Sequence, residues 1–166
     1  MITYPPYSAN LQDVMSDLSK LEDAEGFVPD VIVVDYADIL KPEDMGDMGR
    51  DRHDRTWKGL KNLAATKKCV VITATQATRK TLDSWSVKGS DTSEDIRKQA
   101  HVELSVGINQ TPPEKKRGII RWNILFARDM DFDPRRMVVG LQNLAQGQPM
   151  LDAEDGQIDI DEGKGG

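Results

Sequence analysis

Four consecutive apolar β-branched residues, Val31 to Val34, constrain the fold of this chain more than any other stretch. The run is too short for a helix and has no polar alternation, so it predicts a strand buried on both faces of a parallel sheet. Asp35 follows directly and would lie at the carboxyl end of that strand. Ligands of open α/β sheets bind at this edge, where a carboxylate can hold Mg2+ beside a nucleoside triphosphate. An acid that only caps the next turn would give the same pattern.

The segments around this strand follow the order of a parallel crossover, strand then helix then strand. A short strand is predicted at residues 2–4, and a helix from Ser8 or Asn10 to Gly26, where apolar residues recur at helical spacing. After a glycine-containing loop at residues 41–49, a second helix is predicted from residue 50 or 51 to Lys67. A second buried strand is predicted at residues 69–74.

This second strand ends in a polar segment that contains Gln76 and Arg79. If the two strands are neighbours, an amide and a guanidinium leave the same sheet edge as Asp35. The amide could hydrogen-bond a phosphate or an attacking water, and the cation could stabilise charge on phosphate oxygens. Gln76 could equally be a loop residue with ordinary hydrogen bonds.

The second half of the chain predicts a different arrangement. A long loop at residues 80–92 contains Lys80, Trp85 and Lys88, and a short helix should follow to about residue 100. Strands are predicted at residues 101–108, 118–127 and 135–141, with residues 109–118 as a hairpin tip. Domain boundaries are predicted at 1–144 for the folded domain and 145–166 for an acidic, glycine-rich, disordered tail.

Composition excludes several classes of protein. The net charge of −6 argues against a uniformly basic nucleic-acid-binding surface, although local basic loops remain compatible with it. Cys69 is the only cysteine and the two histidines lie far apart, so an internal disulfide and a zinc cluster are not expected. Neither a signal peptide nor an apolar run of membrane-spanning length occurs, which predicts a cytoplasmic protein with no membrane partner.

Taken together, the strand ending in Asp35-Tyr36, the strand ending in Gln76 and Arg79, and a late hairpin ending in Arg128 resemble one family. They look like the carboxyl-terminal half of the RecA-like ATPase domain of DnaB-type replicative DNA helicases, particularly phage-type members. The resemblance covers residues 2–139. It implies a partial P-loop NTPase core of the α/β class, with a mainly parallel sheet flanked by helices and a late antiparallel hairpin.

The resemblance also implies roles for individual residues. Asp35 would be the Walker B acid that supports Mg2+, with Tyr36 beside it, and Gln76 would sense the terminal phosphate of ATP, with Arg79 next to it. The family's late hairpin carries a Lys-x-Arg pair that reaches the nucleotide site of the adjacent subunit. The aligned positions here are Arg128 and Met130, so the second cation is missing.

In the family, motor domains form a ring, usually a hexamer, around single-stranded DNA. Lys80 and Lys88 would track the phosphates of that strand and Trp85 would stack on its bases. Packing of Trp85 on the sheet as a loop anchor is an equal alternative.

One element of the family is absent from the sequence. No Gly-x-x-x-x-Gly-Lys-Ser/Thr phosphate loop, the Walker A motif, occurs anywhere. The first hypothesis is therefore that this chain is part of an ATP-dependent helicase motor and is inactive alone. The Walker A half of the motor would then come from a longer polypeptide or a partner. The alternative is a non-catalytic RecA-like half-domain that binds a helicase, a loader or DNA. An unrelated α/β enzyme is disfavoured because no nucleophile arrangement can be assembled.

Overall fold

A computed structural model describes residues 1–41, 50–76, 98–133 and 136–157, with only the backbone described at residues 50–53 and 154–157. The chain divides into two compact units, Met1–Gln76 and Ala77–Gly166. The first contains a two-stranded parallel sheet and the second a four-stranded antiparallel sheet, so the chain is mixed α/β. Within the described ranges, no helix is both long enough and apolar enough to cross a membrane.

The first unit begins with helix α1, Leu11–Glu25, as the sequence predicts. Asn10 starts it through a capping box: its side-chain oxygen accepts from the Asp13 amide at 2.9 Å, and Asp13 accepts from the Asn10 amide at 2.9 Å. Gly26 ends the helix in the left-handed conformation, with φ of 66°. Local chemistry at both ends therefore fixes the length of α1.

Strand β1, Val31–Val34, helix α2, Arg50–Lys67, and strand β2, Val70–Thr73, complete the unit. β1 and β2 pair in parallel, as predicted, and Val34 lies opposite Thr73 at the end of the ladder. A Cβ on Gly59 of α2 would come within 2.4 Å of Leu11 in α1, so the two helices pack closely at this point. The buried apolar residues of this layer are Leu11, Leu18, Ile32, Trp57, Leu60 and Leu63.

Two predictions for this unit are wrong. Residues 2–4 form no strand; instead the Tyr4 hydroxyl donates a hydrogen bond to Asp17 of α1. β1 is buried on one face only, because the described part of the unit provides one helical layer, which covers the face that carries Ile32. The opposite face is about half exposed or more, at Val31 (50%), Val33 (69%), Val70 (56%) and Ile72 (51%).

The second unit is an antiparallel sheet in the order β3-β4-β5-β6. Its elements are β3, Leu104–Asn109; α3, Pro112–Arg117; β4, Ile119–Ala127; β5, Arg136–Asn143; and β6, Gln148–Gln157. The predicted antiparallel pairing of the last two predicted strands is confirmed in β4 and β5. The antiparallel part is larger than the single late hairpin that was expected.

The structure differs from the sequence predictions at three places in this unit. Strand β3 begins at Leu104 rather than at residue 101. Residues 112–117 form a capped helix rather than an irregular hairpin tip. Residues 148–157, expected to be part of a disordered tail, form β6, whose backbone pairs with β5 from Asn143 to Arg136. An edge strand of this kind is held by its ladder and does not need apolar side chains on both faces.

Several predicted features lie outside the described residues. These are nearly all of the loop at residues 41–49, the whole of the loop at 80–92, most of the helix that should end near residue 100, and residues 158–166 of the tail.

Candidate nucleotide site

The carboxyl ends of β1 and β2 bring the predicted site residues of the first unit together. Because the strands are parallel neighbours, the segments that follow Val34 and Thr73 leave the same edge of the sheet. Asp35 and Tyr36 follow β1, and Gln76 follows β2 by three residues. The condition on which the sequence prediction depended, that these strands be neighbours, is met.

Thr73 fixes the turn that carries Asp35. Its hydroxyl donates to the carbonyl oxygen of Val34 at 2.9 Å and accepts from the amide of Ala37 at 3.0 Å. These two bonds lie on either side of the Asp35-Tyr36 dipeptide, whose peptide bond is cis. A 3-10 turn, Ala37–Ile39, follows, and Ala37 in it is buried. The position of Asp35 is therefore set by β2 as well as by its own strand.

Two further side-chain contacts join the same segments. The Thr75 hydroxyl donates to the Asp38 carboxylate at 2.5 Å, and the Gln76 amide nitrogen donates to the Tyr36 hydroxyl at 3.2 Å. Gln76 is thus held beside the residue that follows Asp35, through a longer bond that a competing ligand could replace. A shift of the segment after one strand would therefore displace the segment after the other.

Asp35 has the properties of a metal ligand for a nucleotide site. Its side chain is exposed, and within the described residues its carboxylate makes no hydrogen bond or ion pair. Nowhere in the described ranges do three or more metal-ligating side chains cluster, so a cage made by the protein alone is not found there. Mg2+ in nucleotide sites needs only one or two carboxylates, because phosphates and waters fill its other positions. A carboxylate at this edge that no described residue engages fits that chemistry.

Arg128 belongs to the second unit, where its side chain is already engaged. Its Nε lies 2.7 Å from the Glu103 carboxylate, and its Nη2 donates to the carbonyl oxygens of Ala100 at 2.9 Å and Val102 at 3.2 Å. The guanidinium carbon also lies 5.8 Å from the centre of the Phe126 ring. An arginine acting on a neighbouring subunit would have to release these contacts.

The remaining predicted site residues are not described. Arg79, Lys80, Trp85 and Lys88 all lie outside the described residues. Three residues that the sequence argument did not single out belong to the site: Thr73, Thr75 and Asp38. The sequence pattern could have indicated the two threonines, because residues 73 and 75 alternate with apolar neighbours and fall on one side of an extended chain.

The fold of this chain, with an acid after one strand of a parallel pair and an amide after the other, is similar to the folds of solved helicase structures. One similar solved structure is a DnaB-like replicative helicase studied with primase: TM-score 0.68, 17% identity, covering 81% of this chain and 34% of that chain. Another is the ATPase domain of a second helicase: TM-score 0.66, 17% identity, covering 81% of this chain and 48% of that one.

These comparisons confirm the predicted resemblance at the level of the fold. The chain spans about a third of the length of the first structure and about half of the second. No protein-family model and no curated protein matches the sequence.

Proposed function

We propose that this chain supplies the Walker B and phosphate-sensing half of the nucleotide site of an ATP-dependent replicative DNA helicase, and that it is inactive alone. The observation that carries the proposal is the juxtaposition of Asp35, which is exposed and contacts no polar group of the described residues, with Gln76 on the neighbouring strand end. The helicase-like fold supports the same function.

Each residue of the edge has a role in this proposal. Asp35 holds Mg2+ beside the terminal phosphates of ATP, and the bound cation supplies neutralisation of phosphate charge. Thr73 keeps the carboxylate of Asp35 at the sheet edge through the bonds on either side of it. Gln76 orients toward the terminal phosphate and transmits its presence to Tyr36. Arg79 and Arg128 are the candidates for stabilising negative charge on the phosphates.

The other half of the site comes from outside this sequence. Most of the grip on a triphosphate in this class comes from backbone amides of a glycine-rich loop, and no such loop occurs here. A homo-oligomeric ring, a hexamer as in the family, would place nucleotide at subunit boundaries and single-stranded DNA in its channel. Lys80, Trp85 and Lys88 would contact that DNA. A cytoplasmic location likewise stays a prediction.

A second candidate function is a non-catalytic half-domain that binds a helicase, a loader or DNA. Two observations favour it: the missing phosphate loop, and the apolar Met130 at the position where the family has its second cation. The ion pair of Arg128 with Glu103 also favours this second function.

ATP hydrolysis by a polypeptide that joins a phosphate-loop half to this chain separates the two candidates. We expect Mg2+-dependent turnover that Asp35→Asn abolishes. Asp30→Asn is the matched control, because Asp30 is also exposed and lies at the opposite end of β1. If turnover persists in Asp35→Asn, or if Asp35→Asn and Asp30→Asn reduce turnover equally, the role of Asp35 is ruled out. This chain alone should not hydrolyse ATP.

A further inference from the structure

Helix α3 ends in three consecutive cations, Lys115, Lys116 and Arg117, which we call the basic tip. All three side chains are exposed, and no ion pair joins them to any residue that the structure describes. By contrast, Lys20 and Lys67 of the first unit lie 2.7 Å and 2.5 Å from carboxylates. The basic tip is therefore a local concentration of positive charge on an acidic protein.

The basic tip is mounted rigidly. A six-residue helix is too short to be stable by itself, but Thr111 caps α3 at one end and Gly118 ends it with φ of 68°. The Arg121 guanidinium forms a two-pronged pair with Glu114 at 2.7 Å and 3.0 Å. The Gln142 amide donates to the Gly118 carbonyl at 2.7 Å, which ties the end of α3 to β5. These contacts hold the three cations in one place before any ligand arrives.

Within the part of the chain that the structure describes, no carboxylate compensates the charge of the basic tip. Glu114 is the only acid of α3, and Arg121 from β4 neutralises it in a nearly buried pair. One cation in the last turn would be enough to interact favourably with the helix dipole. Three adjacent like charges exceed that need and repel one another.

The spread of the three cations around α3 and the residue types of this helix indicate the class of ligand. Successive helical residues diverge by about 100°, so the three cations cannot converge on one phosphate group. α3 carries no large apolar side chain that could anchor a protein interface. A row of phosphates, in contrast, is recognised by charge alone.

We propose that the basic tip binds the phosphate backbone of nucleic acid, with the choice of a single strand resting on the proposed helicase function, as a contact in the second unit beyond those expected from Lys80, Trp85 and Lys88. The contact involves no residue of the nucleotide site, so it can be tested without ATP.

The test is fluorescence-anisotropy titration of a labelled oligothymidylate with the 166-residue chain, at salt from about 50 to about 200 mM. Lys115→Gln/Lys116→Gln should reduce the magnitude of the log–log salt slope by about 1.4, at about 0.7 per phosphate, so the loss of affinity should be about sevenfold larger at about 50 mM than at about 200 mM salt. Lys115→Arg/Lys116→Arg should retain the slope, since the charge is kept.

Lys58→Gln/Lys68→Gln is the matched control, because it removes two exposed lysines of the first unit and changes the net charge equally. Equal losses in the two glutamine variants, or no binding by the unmodified chain, would overturn the proposal. Competition by polyglutamate as effective as that by unlabelled oligonucleotide would also overturn it, since the surface would then be one for acidic protein. None of these results bears on the ATP hydrolysis test of Asp35.

Discussion

Neutralising Glu114 while Arg121 stays in place should destabilise the antiparallel unit. The Arg121 side chain is 2% exposed and that of Glu114 is 16% exposed, and the two groups meet through two hydrogen bonds. Glu114 also accepts from the amide and hydroxyl of Thr111, both at 2.8 Å. Glu114→Gln therefore removes the carboxylate that the structure describes beside a buried guanidinium, and it weakens the cap of α3.

Breaking a buried ion pair from one side costs about 3–5 kcal/mol. The partial exposure of Glu114 and the remaining amide oxygen of the glutamine place the expected loss near the lower limit, about 3 kcal/mol. A domain of this size is stable by only about 5–15 kcal/mol, so a loss of this size is readily measured.

Urea unfolding followed by far-ultraviolet circular dichroism measures the loss. Glu103→Gln is the matched control: its ion pair with Arg128 is largely exposed, so its loss should cost at most about 1 kcal/mol. Adding Arg121→Met to Glu114→Gln should recover most of the stability, because the buried positive charge is then gone. A cost for Glu114→Gln no larger than that for Glu103→Gln would show that the pair of Glu114 with Arg121 does not stabilise the unit.

The same pair gives a dependence on pH. Burial acts to raise the pKa of Glu114, but the Arg121 guanidinium and the Thr111 donors outweigh it, so the pKa lies below its ordinary value of 4.5. Since the pKa is lower in the folded than in the unfolded chain, the stabilisation is present above about pH 4.5 and is lost as the pH falls through the folded value. The difference between the unmodified chain and Glu114→Gln should shrink over that acidic range.

Two further predictions concern other elements. Gly118→Ala should cost more than about 2 kcal/mol in urea unfolding, because a Cβ would meet the Gln142 carbonyl oxygen at 2.3 Å in addition to the left-handed strain. Gly147 has the same φ of 68° but open space around it, so Gly147→Ala is the control. An equal cost for the two substitutions would contradict the clash. Burial and the hydrogen bond to Asp17 raise the pKa of Tyr4 from 10.0 to about 12, so its stabilisation is lost as the pH rises between these values. Melting temperatures of Tyr4→Phe should lack that alkaline decrease, and an identical decrease would contradict it.

The elements with strong local signals were predictable from sequence. Asn10 and Gly26 mark the ends of α1, and the β-branched run marks β1, since capping and strand preference are properties of a few adjacent residues. The helix α3 was not predicted, although Thr111 and Glu114 form a capping box. Its stability depends on Arg121 of the next strand, a contact that no local pattern reveals.

Burial and edge strands were predicted less well, for a related reason. The run Val31–Val34 predicts burial on both faces, but the second face of a sheet depends on which other layers are present. Likewise, the acidic composition after residue 144 indicates disorder, whereas β6 is formed by backbone pairing with β5. For the site, the sequence predicted that Asp35 and Gln76 share one edge, and missed the bridge made by Thr73 because it depends on the register of β1 and β2.

The proposed role of Asp35 is to hold the cation of a bound nucleotide at the carboxyl edge of β1 and β2. Paramagnetic broadening by Mn2+ with ATP, recorded by nuclear magnetic resonance on this chain joined to a phosphate-loop half, tests this role. In the unmodified protein the amide signals of residues 35–37 and 74–76 should broaden first. Asp30→Asn should show the same broadening, and Asp35→Asn should show none. Broadening that is unchanged in Asp35→Asn, or that spares these residues, would contradict the claim.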